Sequence, residues 1–297
     1  MTPGTADEAH NAADGPFARI AIVGFGLIGA SIALAARARW PAARLIAVDR
    51  AAVVDRALRT GAADVGGEDL ALARDADLVV LAAPVLTNIR ILSELTAHVG
   101  PDAIVTDVGS TKREIAAAAA AVDGLSFVGG HPLAGAAVGG VESAQSDLFE
   151  NRAWVLTPAA DRPAAVAKLS AFVRGLGAHV HLMTPDAHDA VLAYLSHLPQ
   201  LTASALMHLV GERAGTEGLA LAGRGLSDTT RLASSPVDIW RDINATNGDN
   251  IGRAVDELIE ILLRLKEAAT SGGDAIGRTF ESAARWKRVL DGGGEHR

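Results

Sequence analysis

Apolar residues along this chain fall first into short β-rich runs separated by Ala- and Leu-rich stretches. Past Pro185 they fall into long runs at helical spacing only. The short runs cover residues 19–24, 45–49, 78–82, 103–107, 126–129, 153–157 and 178–183. Strand-length runs alternating with helical stretches predict crossover units, hence a mostly parallel sheet with helices on both faces. The first helical stretch is expected to end near Trp40, where Pro41 stops it. After Thr184 and Pro185 no strand-like run interrupts DAHDAVLAYLSHLPQLTASALMHLV or IGRAVDELIEILLRLKEAA. A boundary is therefore expected there between an α/β unit, 17–184, and an all-α unit, 185–290, with residues 1–16 and 291–297 as frayed polar tails. The first long helix of the second unit is apolar nearly all round, as expected of a helix buried between subunits or domains.

Composition narrows the function classes. With 297 residues, 49% hydrophobic and 21% charged, the chain suits two globular domains and excludes wholesale disorder. It has no Cys, which removes disulfides, thiolate zinc sites and a cysteine nucleophile, and makes a cytoplasmic setting the simplest expectation. A net charge of −8 argues against nucleic-acid binding, which needs Lys and Arg against phosphates. No run approaches the roughly 18 to 20 apolar residues of a membrane span, and the first residues lack the basic and apolar regions of a signal peptide. A small-molecule partner is expected.

The sequence Gly24-Phe25-Gly26-Leu27-Ile28-Gly29 follows a predicted strand and opens a predicted helix. Gly24 permits the tight turn, Gly26 lets the backbone approach a pyrophosphate, and Gly29 lets helix and strand pack closely. Leu27 and Ile28 begin the helix whose positive N-terminus faces the phosphates. Asp49 ends the second strand about 20 residues past Gly29, the spacing of a ribose-binding carboxylate, and points to NAD; Arg50 beside it keeps NADP open, since an arginine there accommodates a 2′-phosphate. Pro84 ends the third predicted strand, either under a bound nicotinamide ribose or simply as a strand terminator.

Further polar residues gather at the same sheet edge. TDVGSTK at 106–112 places Asp107, Gly109, Ser110 and Lys112 there, with Ser110 also suited to be the N-cap of the next helix. GGHPLAG at 129–135 places His131 between glycines and a proline, a poor setting for core packing and a good one for a catalytic base of ordinary pKa, near ~6.5. His179 and His181 alternate on a strand without a third ligand at useful spacing, so no metal is expected. In the helical half, Pro199 costs about 3 kcal/mol inside a helix and is expected to kink it beside His197. His197 either faces a cleft or is a satisfied core histidine. Arg231 suits a bidentate carboxylate or a solvated ion pair, and Trp240 follows in the same region.

In this order GFGLIGAS, TDVGSTK, GGHPLAG, VLAYLSHLPQ and TTRLASSPVDIWRDI resemble the prephenate and arogenate dehydrogenases of tyrosine biosynthesis, from about Arg19 to Ala269. The resemblance implies a Rossmann-like domain followed by a helical dimerisation domain, with the active site in the cleft between them. It implies a homodimer and NAD-dependent oxidative decarboxylation, in which hydride leaves a cyclohexadienol ring as its carboxyl departs as CO2. It gives His131 the proton of the ring hydroxyl and Ser110 a hydrogen bond to that hydroxyl or to the histidine. His197 then lines the substrate pocket, Arg231 pairs with a substrate carboxylate and Trp240 walls the site. Many relatives carry Thr or Glu where Ala136 and Ala137 stand here, and Asp147 is a nearby carboxylate suited either to an amino group or to a helix end. With the chain ending at Arg297, feedback control is expected to use the active site or the dimer interface.

Two other readings meet opposing features in the sequence. A β-hydroxyacid dehydrogenase needs a lysine on the long interdomain helix, and there is no Lys between Lys168 and Lys266. A dinucleotide sensor without turnover would leave the grouping of His131, Ser110 and Arg231 without purpose.

Overall fold

The computed structural model describes residues 15–135, 140–159 and 162–292; Ala136, Ala137 and most of both expected tails lie outside these. The chain runs β1 (Arg19–Val23), α1 (Leu27–Arg39), β2 (Arg44–Val48), α2 (Ala51–Arg59), β3 (Val65–Gly67), β4 (Leu78–Leu81), α3 (Val85–Leu95), β5 (Ile104–Asp107), α4 (Arg113–Ala120), β6 (Ser126–Pro132), β7 (Ala153–Pro158), α5 (Pro163–Gly175) and β8 (His179–Leu182). It continues as α6 (Pro185–Leu192), α7 (Leu198–Leu219), α8 (Arg224–Thr229), α9 (Val237–Ser271) and α10 (Ala275–Gly292).

The strands form one sheet in the order β3-β2-β1-β4-β5-β6-β7-β8. All neighbours are parallel except β6 and β7. The central strands are buried on both faces, which is why they read as continuous apolar runs, and two apolar cores fill the two sides. The first six strands have the 3-2-1-4-5-6 order of a Rossmann-like fold, which brings the carboxyl ends of β1 and β4 together at its switch point.

Three features differ from the sequence reading. The short strand β3, Val-Gly-Gly, was not expected, because three residues with two glycines carry no β pattern; its register on β2 creates it. Strand β6 continues three residues past Gly129, since β7 pairs antiparallel with it and sets His131 opposite Val155. Pro199 does not kink a helix. A π-helical turn over Ala193–His197 ends one helix, and Pro199 falls in the first turn of α7, where its missing N–H is no loss.

The helical half is tied to the sheet edge by polar contacts. Asp242 on α9 accepts from Leu86 N at the start of α3 at 3.1 Å, and Thr111 and Thr246 share a 2.7 Å hydrogen bond. Arg113 and Asp249 form an ion pair that holds the Asp249 carboxyl down to about 2. Among the described residues no helix is long and apolar enough to cross a membrane.

Candidate active site

At the switch point the glycine pattern does three separate jobs. Gly24 has φ +94°, and a Cβ there would stand 2.4 Å from Ala83 N. A Cβ on Gly29 would stand 2.1 Å from Gly24 O, so helix and strand could not close. Gly26 is the opposite case: a Cβ there meets nothing within 4 Å, which leaves its backbone open to a ligand. Leu27 and Ile28 begin α1, whose N-terminus has no side-chain cap. Free N–H groups at a positive helix end suit a pyrophosphate.

A cavity of about 560 Å³ opens here, lined among others by Gly24, Gly26, Asp49, Arg50 and Pro84. Asp49 accepts from Phe25 N at 2.6 Å and from Arg50 N at 2.7 Å, which fixes its carboxylate at the glycine loop. The Arg50 guanidinium lies 3.8 Å from Asp49 and is 87% exposed. Pro84 is the N-cap residue of α3. An open glycine, an uncapped helix end and a fixed carboxylate together fit a dinucleotide.

Further along the same edge, β5 ends on Asp107. Its carboxylate accepts from Gly109 N at 2.8 Å and Gly130 N at 3.1 Å, and it pairs with the Lys112 ammonium, which also donates to Gly130 O at 2.7 Å. Both Asp107 and Lys112 are fully buried. Burial lowers the Lys112 pKa while Asp107 and Asp189 oppose the shift. The pair grips both polar groups of the Gly130 residue, directly before His131.

The His131 ring is held from the helical half. Its Nδ1 lies 2.8 Å from His188 Nε2, and His188 Nδ1 lies 2.8 Å from Asp189 Oδ1. Asp189 also accepts from Lys112 N at 2.7 Å and Arg113 N at 2.9 Å, so a carboxylate on α6 caps the N-terminus of α4. Burial, then His188, Lys112 and His197, push His131 well below its ordinary pKa, which corrects the expected value near ~6.5. Ser110 is not the N-cap of α4, since Lys112 holds that position and Asp189 supplies the acceptor. Nor does Ser110 bond His131: among the described residues its hydroxyl has no partner, and it stays partly open at the sheet edge.

His197 ends the π turn with 1% exposure. Asn247, at a break in α9 with φ −140° and ψ 24°, donates to Asp189 O at 2.8 Å and lies 3.3 Å from His197 Nδ1. Its amide orientation is fixed from both sides, because the Asp189 carbonyl only accepts and Asn250 donates to its oxygen at 2.8 Å. His197 Nδ1 is therefore an acceptor and its proton sits on Nε2. That atom is buried with no partner among the described residues, a donor waiting for an acceptor. Burial lowers the His197 pKa to about 4, so the ring is neutral.

Trp240 stands edge-on to His197 with ring centroids 6.0 Å apart, which brings those two expected residues together. Arg231 stands on a 3-10 turn over Arg231–Ser234, exposed and without an ion pair among the described residues. Gln200 braces that turn by donating to Leu232 O at 2.8 Å and accepting from Ser235 at 3.0 Å. Asp147 is exposed, and its side chain has no partner among the described residues. His179 and His181 stand on the edge strand β8.

Sequence reasoning singled out neither His188, Asp189, Asn247 nor Gln200. The one local signal was a His-Asp pair inside an apolar helical stretch, which by itself marks no site.

The pattern of the prephenate dehydrogenase nucleotide-binding domain matches residues 32–182, and that of the prephenate dehydrogenase dimerization domain matches residues 184–278. Prephenate dehydrogenase of Bacillus subtilis is 37% identical, over 91% of this chain and 76% of its own length. The Aquifex aeolicus prephenate dehydrogenase solved with hydroxyphenyl propionate and NAD+ superposes with a TM-score of 0.84 at 30% identity, covering 91% of this chain and 98% of that one. Synechocystis arogenate dehydrogenase superposes with a TM-score of 0.75 at 31% identity, over 93% and 99%. With two domain patterns matched in order over most of its length, the chain belongs to the prephenate dehydrogenase family.

Proposed function

We propose that this protein oxidises and decarboxylates prephenate to 4-hydroxyphenylpyruvate and CO2, with NAD as the hydride acceptor. The observation that carries the reading is the alignment of His131 with His188, beside a cleft that fits a dinucleotide. His131 takes the proton of the ring hydroxyl as that carbon gives up hydride. Its lowered pKa keeps it neutral, and therefore able to accept, at pH 7. The Asp107–Lys112 grip on Gly130 holds the strand that carries it. Ser110, with a free hydroxyl at the same edge, hydrogen-bonds the reacting hydroxyl.

His197 donates its unpaired Nε2–H to an acceptor on the substrate, and Trp240 forms the wall beside it. Arg231 meets a carboxylate. Departure of the ring carboxyl as CO2 returns its bonding electrons to the ring, and aromatisation drives the step. Gly24, Gly26, Leu27, Ile28, Gly29, Asp49, Arg50 and Pro84 form the cofactor side of the cleft.

The helical half makes a two-fold dimer in this reading. Leu209, Leu221, Leu262, Leu263, Phe280 and Leu290 are all more than half exposed in the single chain, a surface that a partner copy would remove from water.

The test is to mix the protein with NAD and prephenate and follow NADH absorbance together with release of CO2. Both should appear in equal amount. Absence of NADH with prephenate and with arogenate alike would remove the reading.

A further inference from the structure

We propose that His188 and Asp189 are positioning residues that set the tautomer of His131 and share the charge it gains. The inference deepens the proposed reaction and rests on His131 being its proton acceptor.

The relay begins at the Asp189 carboxylate, which as an anion can only accept hydrogen bonds. Asp189 Oδ1 receives Lys112 N–H and His188 Nδ1, while Oδ2 receives Arg113 N–H, so the carboxylate is fixed by two backbone donors at a helix N-terminus and cannot turn away. His188 must then carry its proton on Nδ1. Both side chains are fully buried, and desolvation holds His188 below its ordinary pKa although Asp189 opposes this. The ring is neutral at pH 7 and its Nε2 is a lone pair. At 2.8 Å from that lone pair, His131 Nδ1 must be the donor. Only the Nε2 of His131 then remains as an acceptor.

The same order of bonds serves the reaction. When His131 Nε2 takes the hydroxyl proton, the new imidazolium keeps its Nδ1–H on His188, and the negative charge of Asp189 stands one ring further back. Within the relay only the Nε2–H bond forms, as the hydroxyl O–H breaks, and no proton moves between the rings; the hydride goes to NAD and the carboxyl leaves as CO2. Without His188 the His131 ring would be free to hold its proton on Nε2, where it could not accept another. Asp189 also joins the two halves of the molecule, since the residue that caps α4 is the one that orients the base.

Two measurements test this. In substrate-free protein with 15N-labelled histidine, long-range 1H–15N NMR reports which ring nitrogen of His131 carries the proton, with His131→Asn used to assign the signal. The proton is expected on Nδ1, and a signal showing it on Nε2 would overturn the proposal. His188→Leu should lower kcat about 100-fold and abolish the single Nδ1–H tautomer. His188→Gln, whose side-chain oxygen can still accept from Nδ1, should recover activity to within about tenfold of wild type. A leucine variant within threefold of wild type would also overturn it. The wild-type tautomer is read without any substitution, so it decides even where the leucine variant fails to fold. A His131 tautomer as assigned, in a protein that oxidises neither prephenate nor arogenate, would sink the proposed reaction and leave the positioning role standing.

Discussion

Asp49 and Glu68 stand at the ends of neighbouring parallel strands, directly after the paired residues Val48 and Gly67, and both line the cofactor cavity. Asp49 is held on Phe25 N and Arg50 N, and Glu68 accepts from Ala51 N at 2.7 Å at the start of α2. A 2′-phosphate would meet two carboxylates and one exposed arginine, and Glu68 already occupies the helix-end donor it would seek. Wild type is therefore expected to bind NAD more tightly than NADP. Asp49→Ser and Glu68→Gln should each lower the NADP-to-NAD ratio of Kd about tenfold by calorimetry, with the wild-type ratio shrinking as salt rises. Equal affinity of wild type for both cofactors would show that Arg50 dominates.

His131→Asn should lower kcat by about 10² to 10⁴ fold while NAD still binds. The pH profile carries the sharper expectation. A base whose pKa is lowered is active above that lowered value, so kcat/KM should stay level from neutrality into the acid range and fall only well below pH 6.5. Burial depresses it most, and His188 on α6, Lys112 before α4 and His197 on the π turn add to the shift from other elements. A break near pH 6.5 would mean that the ring is not surrounded as described.

The strands, the crossover helices and the glycine turn were legible because their signals, apolar runs and glycines at fixed spacing, lie within short stretches of chain. What was not legible depends on distant partners. The strand run ended at Gly129 in the sequence because β7, which extends it to Pro132, comes from further along the chain, and Ser110 looked suited to an N-cap because the true cap acceptor, Asp189, lies 77 residues from Lys112. His131 looked like an ordinary titrating histidine for the same reason, since His188 comes from 57 residues away. The proline of α7 misled because its cost applies to a helix interior, and a π turn placed it in a first turn instead.

Arg231→Ala is expected mainly to raise KM for the substrate, by the loss of about 2 to 5 kcal/mol when a charge-assisted pair leaves its partner buried. Arg231→Lys should recover only part, because the planar fork is lost. Gln200→Leu should act in the same direction and more weakly, since it frees the turn that carries Arg231. Steady-state kinetics decide, and an unchanged KM in the alanine variant would make Arg231 structural.

Light scattering at micromolar concentration should give twice the chain mass. The exposed leucines of α7, α9 and α10 make a lone copy unfavourable in water. Leu262→Glu combined with Phe280→Glu should shift the population to monomer, and a wild-type monomer would refute the interface.

Substrate choice turns on the side chain opposite the ring. Prephenate carries a keto group there and arogenate an ammonium, and an ammonium buried without an anion is costly. Ala136 and Ala137 bring no anion to the segment after GGHPLAG, which favours prephenate. The carboxylates placed so far are engaged elsewhere: Asp107 by Lys112, Asp189 by His188 and two backbone donors, Asp242 by the start of α3. Asp147 is the exception, exposed and without a side-chain partner among the described residues, so it is the group able to meet an ammonium. The expected outcome is a higher kcat/KM for prephenate than for arogenate in wild type, unchanged in order by Asp147→Asn. A wild type selective for arogenate that loses its selectivity in that variant would reverse the assignment and identify Asp147 as the residue that reads the amino group.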